Sequence, residues 1–531
     1  MGASAEETKA RVGNPFHIRE RIHGAAQQGS GALTEDDLFL AKWYGLYTHR
    51  HEPGQFMLRL KLPGGRLNAA QLKVIARIAS EWNRDFADLT TRQDIQLHWV
   101  RSEQVPQVLQ ELEGVGVTTQ GACGDVLRNL VGCPVSGLDA HEWFDAGPIL
   151  EEAHRLFTGN PDFANLPRKY KVSIAACRDQ CPQPEIHCVS FVGMELPGEG
   201  QGRLGFDVRV GGGLSTRWFF AQRLNAFVPP ERVVPTLKAI TEIYRDSPEY
   251  RKARSHARFK FLIADWGVAR FREALQGRLD FPLEEAGPAE DPPDTYKDHV
   301  GVHEQKQPGL FYVGIPITVG RITGAQMRKV ADLAERHGDG GVRLTVRQNL
   351  ILTGIPHEKV AQVLEGLEAV DLKVRASGVL RGVLACTGTE FCKLAVTETK
   401  ARARELVTYL EQRVPLEEPL RIHVSGCPNT CAQSPIAHIG LQGSKVKVGD
   451  QLVDAYDVAI GGQLGAERSF NHFVLRKIPA TDLKLRLERL LIQYKRLRKP
   501  GEAFNAFCAR VGDQQISQFL LPEQQEGDRS R

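Results

Sequence analysis

The sequence predicts an α/β (α+β) protein that is internally duplicated and pseudo-twofold symmetric. Three observations predict it. A first block recurs at a constant offset: Gly65-Arg66, Ala70-Gln71, Ala76, Leu89-Thr90 and Arg92-Gln93 return as Gly320-Arg321, Ala325-Gln326, Ala331, Leu344-Thr345 and Arg347-Gln348. A second block does the same at a slightly shorter offset, with Cys177, Cys181, Gln183, Asp207-Val208, Gly211-Gly212, Leu214 and Pro229 returning as Cys427, Cys431, Gln433, Asp457-Val458, Gly461-Gly462, Leu464 and Pro479. Two long copies indicate duplication and fusion, because a solenoid repeats every 20 to 50 residues or so, roughly. Third, within each copy the hydrophobic period switches between that of a strand and that of a helix.

Taken in order, the N-terminal 30 or so residues, roughly, mix acids, bases and glutamines without a signal-like apolar run, and are expected either to cover the core surface or to be mobile. Phe56 to Leu62 alternates as a strand would. A Gly-rich turn then leads to Leu72, Ile75, Ala76 and Ala79, which share one helical face; Met327, Val330, Ala331 and Ala334 repeat it. Ile95-Gln96-Leu97-His98-Trp99 and Leu350-Ile351-Leu352 read as strands, which puts Arg92 and Arg347 at paired strand starts. Phe281 to Gly309 is rich in Pro and acids without a period, as an extended connector between the copies would be. From about Pro522 the chain is polar and is expected to be disordered.

Composition excludes several classes of function. A chain of 531 residues with 42% hydrophobic, 25% charged and 7% aromatic residues is not collagen-like, coiled-coil or globally disordered. A net charge of +4 over that length does not point to nucleic acid, and no stretch approaches the uninterrupted apolar run that a membrane span needs. A cytoplasmic protein is expected. In such a chain the ten cysteines, at 123, 133, 177, 181, 188, 386, 392, 427, 431 and 508, read as metal or redox ligands before disulfides.

Two close pairs stand out, Cys386-x5-Cys392 and Cys427-x3-Cys431. Four soft anionic thiolates on a compact frame suit an iron–sulfur cluster, and small residues around them let the backbone approach inorganic sulfur. A zinc site is the weaker reading at this spacing, and buried, inert cysteines the blandest.

The C-x5-C followed by G-C-P-N-x-C resembles the signature of the sirohaem- and [4Fe-4S]-containing sulfite and nitrite reductases. Thr90-Thr91-Arg92-Gln93, Cys123-Gly124-Asp125-x-x-Arg128-Asn129, Leu166-Pro167-Arg168-Lys169 and Gly211–Gly213 agree with the same family over nearly the whole chain. The resemblance implies two paired ferredoxin-like half-domains, one from each copy, and two larger sirohaem- and cluster-binding α/β domains, with the sirohaem where the pieces meet. The divisions it implies are an N-terminal extension (1–45), half-domain 1 (46–121), the N-terminal sirohaem-fold copy (122–280), the linker (281–309), half-domain 2 (310–375), the sirohaem- and [4Fe-4S]-binding copy (376–521) and a tail (522–531).

It also implies roles. Cys386, Cys392, Cys427 and Cys431 would hold the [4Fe-4S] cluster, with Cys431 also bridging to the sirohaem iron. Arg92, Arg128, Lys169 and Lys171 would surround the substrate anion, the lysines donating protons and the arginines acting as fixed forks. Arg347 and Gln348 either hold sirohaem carboxylates or repeat a structural feature, and Asn429 is placed to tune the cluster.

Lys169-Tyr170-Lys171 favours sulfite, since nitrite-reducing relatives tend to carry Asn at the position of Lys171. The function expected is six-electron reduction of sulfite to sulfide with electrons from ferredoxin, in a monomer. A nitrite reductase on the same scaffold and a non-catalytic iron–sulfur protein are the alternatives. The cations Lys484, Arg486, Arg489, Lys495, Arg496, Arg498 and Lys499 are candidates for ferredoxin docking, with a solvated helix face as the plainer reading. The N-terminal copy departs from the pattern: aligning Cys123 with Cys386 puts Asn129 where Cys392 stands. That half is read as having lost its cluster; a second cluster recruiting Cys133 or Cys188 is the alternative.

Overall fold

Two helices that begin with the same reciprocal cap anchor the repeated half-domains. In the computed structural model, which describes residues 5–28, 32–198, 202–289, 291–294 and 297–522, Ala69–Trp82 starts where Asn68 accepts from the Gln71 amide and Gln71 accepts from that of Asn68. Gly324–His337 starts on Thr323 and Gln326 in the same way. Such a box satisfies donors that a helix start leaves open. The expected apolar faces, Leu72, Ile75, Ala76, Ala79 and Met327, Val330, Ala331, Ala334, are all buried.

Each half-domain has an antiparallel five-stranded sheet. The first runs Leu46–Thr48, Gln55–Arg59, Ile95–Arg101, Phe86–Leu89, Arg321–Thr323, and the second Gly301–Glu304, Leu310–Ile315, Leu350–Pro356, Gly341–Leu344, Arg66–Asn68. The last strand of each comes from the other copy, with Arg321 opposite Asp88 and Arg343 opposite Arg66. The halves are therefore interlocked by backbone pairing and share one apolar core.

A pair of glutamines completes the exchange. Gln93 Nε2 donates to Leu344 O at 2.9 Å, and Gln348 Nε2 donates to Leu89 O at 3.0 Å. Both glutamines have positive φ, 56° and 61°. Gly65 and Gly320 make the close approach possible: a Cβ there would lie 2.7 Å from Leu344 O or 2.9 Å from Leu89 O.

The larger repeated domains share a mixed sheet. In the N-terminal copy Val172–Ala175, Val189–Leu196, Arg203–Val210 and Gln222–Val228 lie side by side, the first pair parallel and the others antiparallel. The C-terminal copy repeats this as Ile422–Ser425, Ile439–Val448, Gln451–Ile460 and His472–Pro479, with Val383–Ala385 added parallel at the edge. In the N-terminal copy that edge is reduced to isolated bridges, Leu127 with Tyr170 and Val131 with Ser173.

The chain divides into two compact units, Met1–Gly213 with Arg217–Arg375, and Leu214–Thr216 with Ala376–Arg531. The first therefore holds both half-domains and the N-terminal copy.

The structure corrects several expectations. The strand expected over Phe56–Leu62 is Gln55–Arg59, bulged between Phe56 and Leu58, and Lys61 instead bridges to Thr118. Arg92 and Arg347 lie in the turns before their strands, because the left-handed Gln93 and Gln348 hold those turns tight. The connector is not free along its length: Gly301–Glu304 is the edge strand of the second sheet, and Asp298 and His299 are buried. The N-terminal segment covers the core, with Ile18 and Ile22 buried in it and Lys9 bonded to Leu166 O at 3.1 Å. The polar tail, apart from its first residues, lies outside the described residues, as do 1–4 and 29–31. No helix among the described residues is long and apolar enough to cross a membrane.

Candidate cluster and anion sites

The second unit gathers the four predicted thiols. Cys386 follows the strand Val383–Ala385, and its amide donates to Val424 O at 3.1 Å, which sets it beside the Cys427 turn. Cys392 closes its own loop, donating to Gly388 O at 2.9 Å, and Val396 N donates to Gly426 O at 2.8 Å. Thr430, at φ 52°, turns the chain between Cys427 and Cys431. Cys431 is the exposed member of the set and the other three are partly buried.

The electrostatics fit thiolate ligands. Burial pushes the Cys386 thiol up to about 12, with Cys431 adding to the effect and amide hydrogen bonds from Gly426 and Gly388 opposing it. The Gly426 amide lies 3.3 Å from Cys386 Sγ. Cys427 is raised by burial, opposed by hydrogen bonds from Asn429 and raised further by Cys431 and Cys392. Four mutually repelling sulfurs supplied with amide donors ionise together only around cations, so the donor set suits an iron–sulfur cluster. Asn429 is itself held: Ser215 Oγ donates to its Oδ1 at 3.2 Å, and Ser215 N to Thr430 Oγ1 at 3.0 Å.

In the first unit the predicted cations converge through backbone pairing. Arg128 N donates to Tyr170 O at 2.8 Å, and Tyr170 N donates to Val126 O at 3.0 Å. Tyr170 is fully buried, so on an extended segment Lys169 and Lys171 share the opposite side. Arg128 is held by its Nε bond to Gly124 O at 2.9 Å.

Arg92 is locked from two directions. Its Nη1 donates to His187 Nε2 at 3.1 Å and its Nη2 to Asn129 O, while Asn129 Nδ2 returns a bond to Arg92 O at 3.0 Å. His187 Nδ1 donates to Gln183 O at 2.9 Å, which leaves Nε2 as the acceptor. Burial, with Arg92 adding to it, keeps that imidazole neutral by lowering its pKa far below the ordinary value. Arg92 Nε is buried without a hydrogen-bond partner among the described residues. A buried cationic donor in that state fits a site that receives an anion.

Sequence reasoning missed several groups here. Lys61 is 2% exposed, and burial pulls it down to about 7, with Asp94 opposing and Arg128 and Arg92 reinforcing the shift. Asp94 is pushed up to about 7 by burial, opposed by Arg59 and Arg92. Asp125 ties the motif together by accepting from Arg168 at 2.9 Å and Arg254 at 2.9 Å. Beside the glycine run, Lys260 Nζ donates to Gly213 O at 3.4 Å and Arg258 Nη2 reaches Cys188 Sγ at 3.8 Å. Lys61 stands inside the strand expected over Phe56–Leu62 and was legible only as one of its polar positions.

Other predicted residues have plainer surroundings. Arg347 is buried with its amide on Thr345 Oγ1 at 3.1 Å. Gln348 is the interdomain strut already described, which supports the structural half of its two readings. The C-terminal cations lie on and just beyond the helix Leu483–Leu497 and are largely engaged within the chain: Lys484 with Glu405 at 2.6 Å, Arg486 with Asp482 at 3.1 Å, and Lys495 with Pro415 O at 3.1 Å. That supports a solvated helix face. Cys133, Cys177 and Cys181 form a separate group in the first unit.

Comparisons with known proteins bear on both sites. A family profile described as the nitrite and sulphite reductase 4Fe-4S domain matches residues 123–283 and 377–524, and one described as the nitrite/sulfite reductase ferredoxin-like half domain matches 48–115 and 303–370. A "Sulfite reductase [ferredoxin]" of Mycobacterium tuberculosis is 38% identical, covering 97% of this chain and 96% of the relative. An "Assimilatory ferredoxin-dependent nitrite reductase" of Haloferax mediterranei is 35% identical, over 95% of this chain and 91% of the relative. The solved structure of the Mycobacterium tuberculosis NirA protein superposes with a TM-score of 0.91 at 38% identity, covering 96% of this chain and 97% of that one. With matched profiles over both copies and relatives aligned nearly end to end, the chain belongs to the nitrite and sulfite reductase family, whose duplicated half-domains and 4Fe-4S domains it carries.

Proposed function

We propose that the protein reduces sulfite to sulfide with electrons from ferredoxin, and that Cys386, Cys392, Cys427 and Cys431 hold a [4Fe-4S] cluster, Cys431 also serving the iron of a sirohaem. The observation that carries the choice of sulfite is the sequence Lys169-Tyr170-Lys171, whose Tyr170 pairs by backbone with the Val126–Arg128 segment. When bound, the cluster and sirohaem would supply the electrons and a redox-active iron as Lewis acid.

The chain's own residues supply charge, position and protons. Consuming HSO3⁻ with six electrons and six protons releases HS⁻ and three waters, so the pocket must neutralise oxygen charge and deliver protons as each oxygen leaves. Arg92, fixed by His187 and the Asn129 carbonyl, offers donors in one orientation, which costs little reorganisation during the reaction. Lys169 and Lys171, on flexible stems, suit proton donation. Lys61, held near its neutral point by burial, sets the charge behind Arg92 and Arg128. Two lysines match an anion with three oxygens better than one lysine and an amide would.

The names of the mycobacterial relatives support both sulfite and ferredoxin, while nitrite-reducing relatives at similar identity keep nitrite as a second substrate of the same scaffold. The same reading has the enzyme act as a cytoplasmic monomer in sulfur assimilation, with the domain divisions given above. The visible spectrum of anaerobically purified protein, with iron and acid-labile sulfide counts, tests the cofactor reading. A Soret band and red absorption with about five irons per chain are expected from one cubane and one haem iron. A colourless protein would overturn it.

A further inference from the structure

We propose that Cys133, Cys177, Cys181 and His299, all in the first unit, form a mononuclear zinc site distinct from the four cysteines of the C-terminal copy. The ligand atoms of Cys133, Cys181 and His299 lie within 4.8 Å of one another, and His299 Nε2 is 3.2 Å from Cys181 Sγ. Cys177 belongs to the same group: the Cys181 amide donates to its Sγ at 3.3 Å, and it packs in one cluster with Cys133, Cys181 and Tyr312. All four cysteine and histidine side chains are buried except that of Cys181, which is partly exposed and offers a way in.

The dimensions favour one ion over a cluster. With Zn–S near 2.3 Å and Zn–N near 2.0–2.1 Å, tetrahedral ligands sit about 3.5–3.8 Å apart, close to the spacing of Cys133, Cys181 and His299, and Cys177 would turn its thiol in as the fourth ligand. A four-iron cluster binds each thiolate to a different iron and needs the sulfurs farther apart. Three thiolates and one imidazole are a structural zinc set.

The histidine is prepared for the task. His299 Nδ1 lies 3.4 Å from the Tyr312 hydroxyl, the kind of outer contact that orients an imidazole so its other nitrogen ligates. Its backbone is left-handed, φ 58°, and the neighbouring strand carries Gly314, where a Cβ would fall 1.6 Å from His299 O. The site would join three remote segments, the Cys133 loop, the Cys177–Cys181 turn and the inter-copy connector, as metal staples do.

Zinc K-edge X-ray absorption of the purified full-length holoprotein, combined with elemental analysis, tests this without interference from iron. About one zinc per chain is expected, with three sulfurs near 2.3 Å and one nitrogen near 2.0–2.1 Å. His299→Gln and Cys133→Ser should each lower zinc at least about threefold and leave cluster iron unchanged. The proposal is overturned if zinc stays below about 0.2 per chain after zinc-supplemented growth and equilibration with zinc sulfate under reducing conditions. It is equally overturned if zinc is unaffected by both substitutions, if mass spectrometry finds a disulfide among the three cysteines, or if iron exceeds that of one cluster and one haem by about four, as a second cubane would require. Should either variant fail to fold, the wild-type stoichiometry and ligand shell decide.

Discussion

Ile422–Ser425 leads into the Cys427–Cys431 turn as Val172–Ala175 leads into the Cys177–Cys181 turn. Gln180 and Gln183 have φ 49° and 59°, and their counterparts Thr430 and Gln433 have φ 52° and 60°. Both turns then enter a one-turn helix, Pro184–Ile186 or Ser434–Ile436, and a long strand. What differs is the company. The C-terminal turn meets Cys386, Cys392 and the amides of Gly426 and Asn429, whereas the N-terminal turn meets Cys133 and His299 and sends His187 to hold Arg92. The two copies keep one backbone course and differ in what surrounds it: four cysteines gather about the C-terminal turn, and three cysteines and a histidine about the N-terminal one, from which His187 also reaches Arg92.

Breaking the comparison at its cysteines should give the largest effect. Cys431→Ser is expected to lower turnover by about three orders of magnitude or more and to strip iron and acid-labile sulfide, whereas Cys181→Ser leaves the cluster iron and sulfide at wild-type content. Equal iron loss in both would show that the two turns share one task.

On the cationic side, Arg92→Met should reduce kcat/KM for sulfite about 100-fold, close to 3 kcal/mol, because it removes a charge-assisted donor and leaves His187 and the Asn129 carbonyl without their partner. A change under about threefold would remove Arg92 from the anion site. Lys171→Asn should move the sulfite-to-nitrite ratio of kcat/KM about tenfold toward nitrite, or roughly 1.4 kcal/mol.

Much of this was readable before any coordinates. Constant offsets between copies announced the duplication, the helical faces were right residue by residue, and the two cysteine pairs in the C-terminal copy came together. Strand exchange was not readable, because Arg66–Asn68 and Arg321–Thr323 are short and carry no periodic signal. Nor was the role of His299: it sits in a Pro- and acid-rich stretch that looks like linker, and only folding brings it to Cys181. Lys61 was hidden for a related reason. Its alternation marked a strand, but its burial comes from packing against Asp94, Arg92 and Arg128, which are distant in sequence.

That buried lysine sharpens the comparison through pH. Lys61 at about 7 is charged below that value and neutral above it, while Asp94 at about 7 is neutral below and anionic above. Both changes weaken anion binding as pH rises through 7. With nitrite, which stays an anion over this range, KM is expected to rise several-fold, about three to ten, between pH 6 and 8, and Lys61→Met should flatten that rise. A profile unchanged in the variant would remove Lys61 from the pocket's charge balance.

The symmetric struts are read in stability and not in turnover. Gln348→Ala removes the bond to Leu89 O, and Gln93→Ala removes the matching bond to Leu344 O together with those to Gly132 O and N, so each should cost about 1–3 kcal/mol in denaturant unfolding, with Gln93 the larger. A larger loss for Gln348 than for Gln93 would contradict this account of the struts.

The central claim is that an anion with three oxygens is the preferred substrate of this scaffold. Steady-state kcat/KM for sulfite and for nitrite, measured with reduced ferredoxin on the same holoprotein, tests it most directly. The account predicts a higher value for sulfite; a preference for nitrite of about tenfold or more would contradict it.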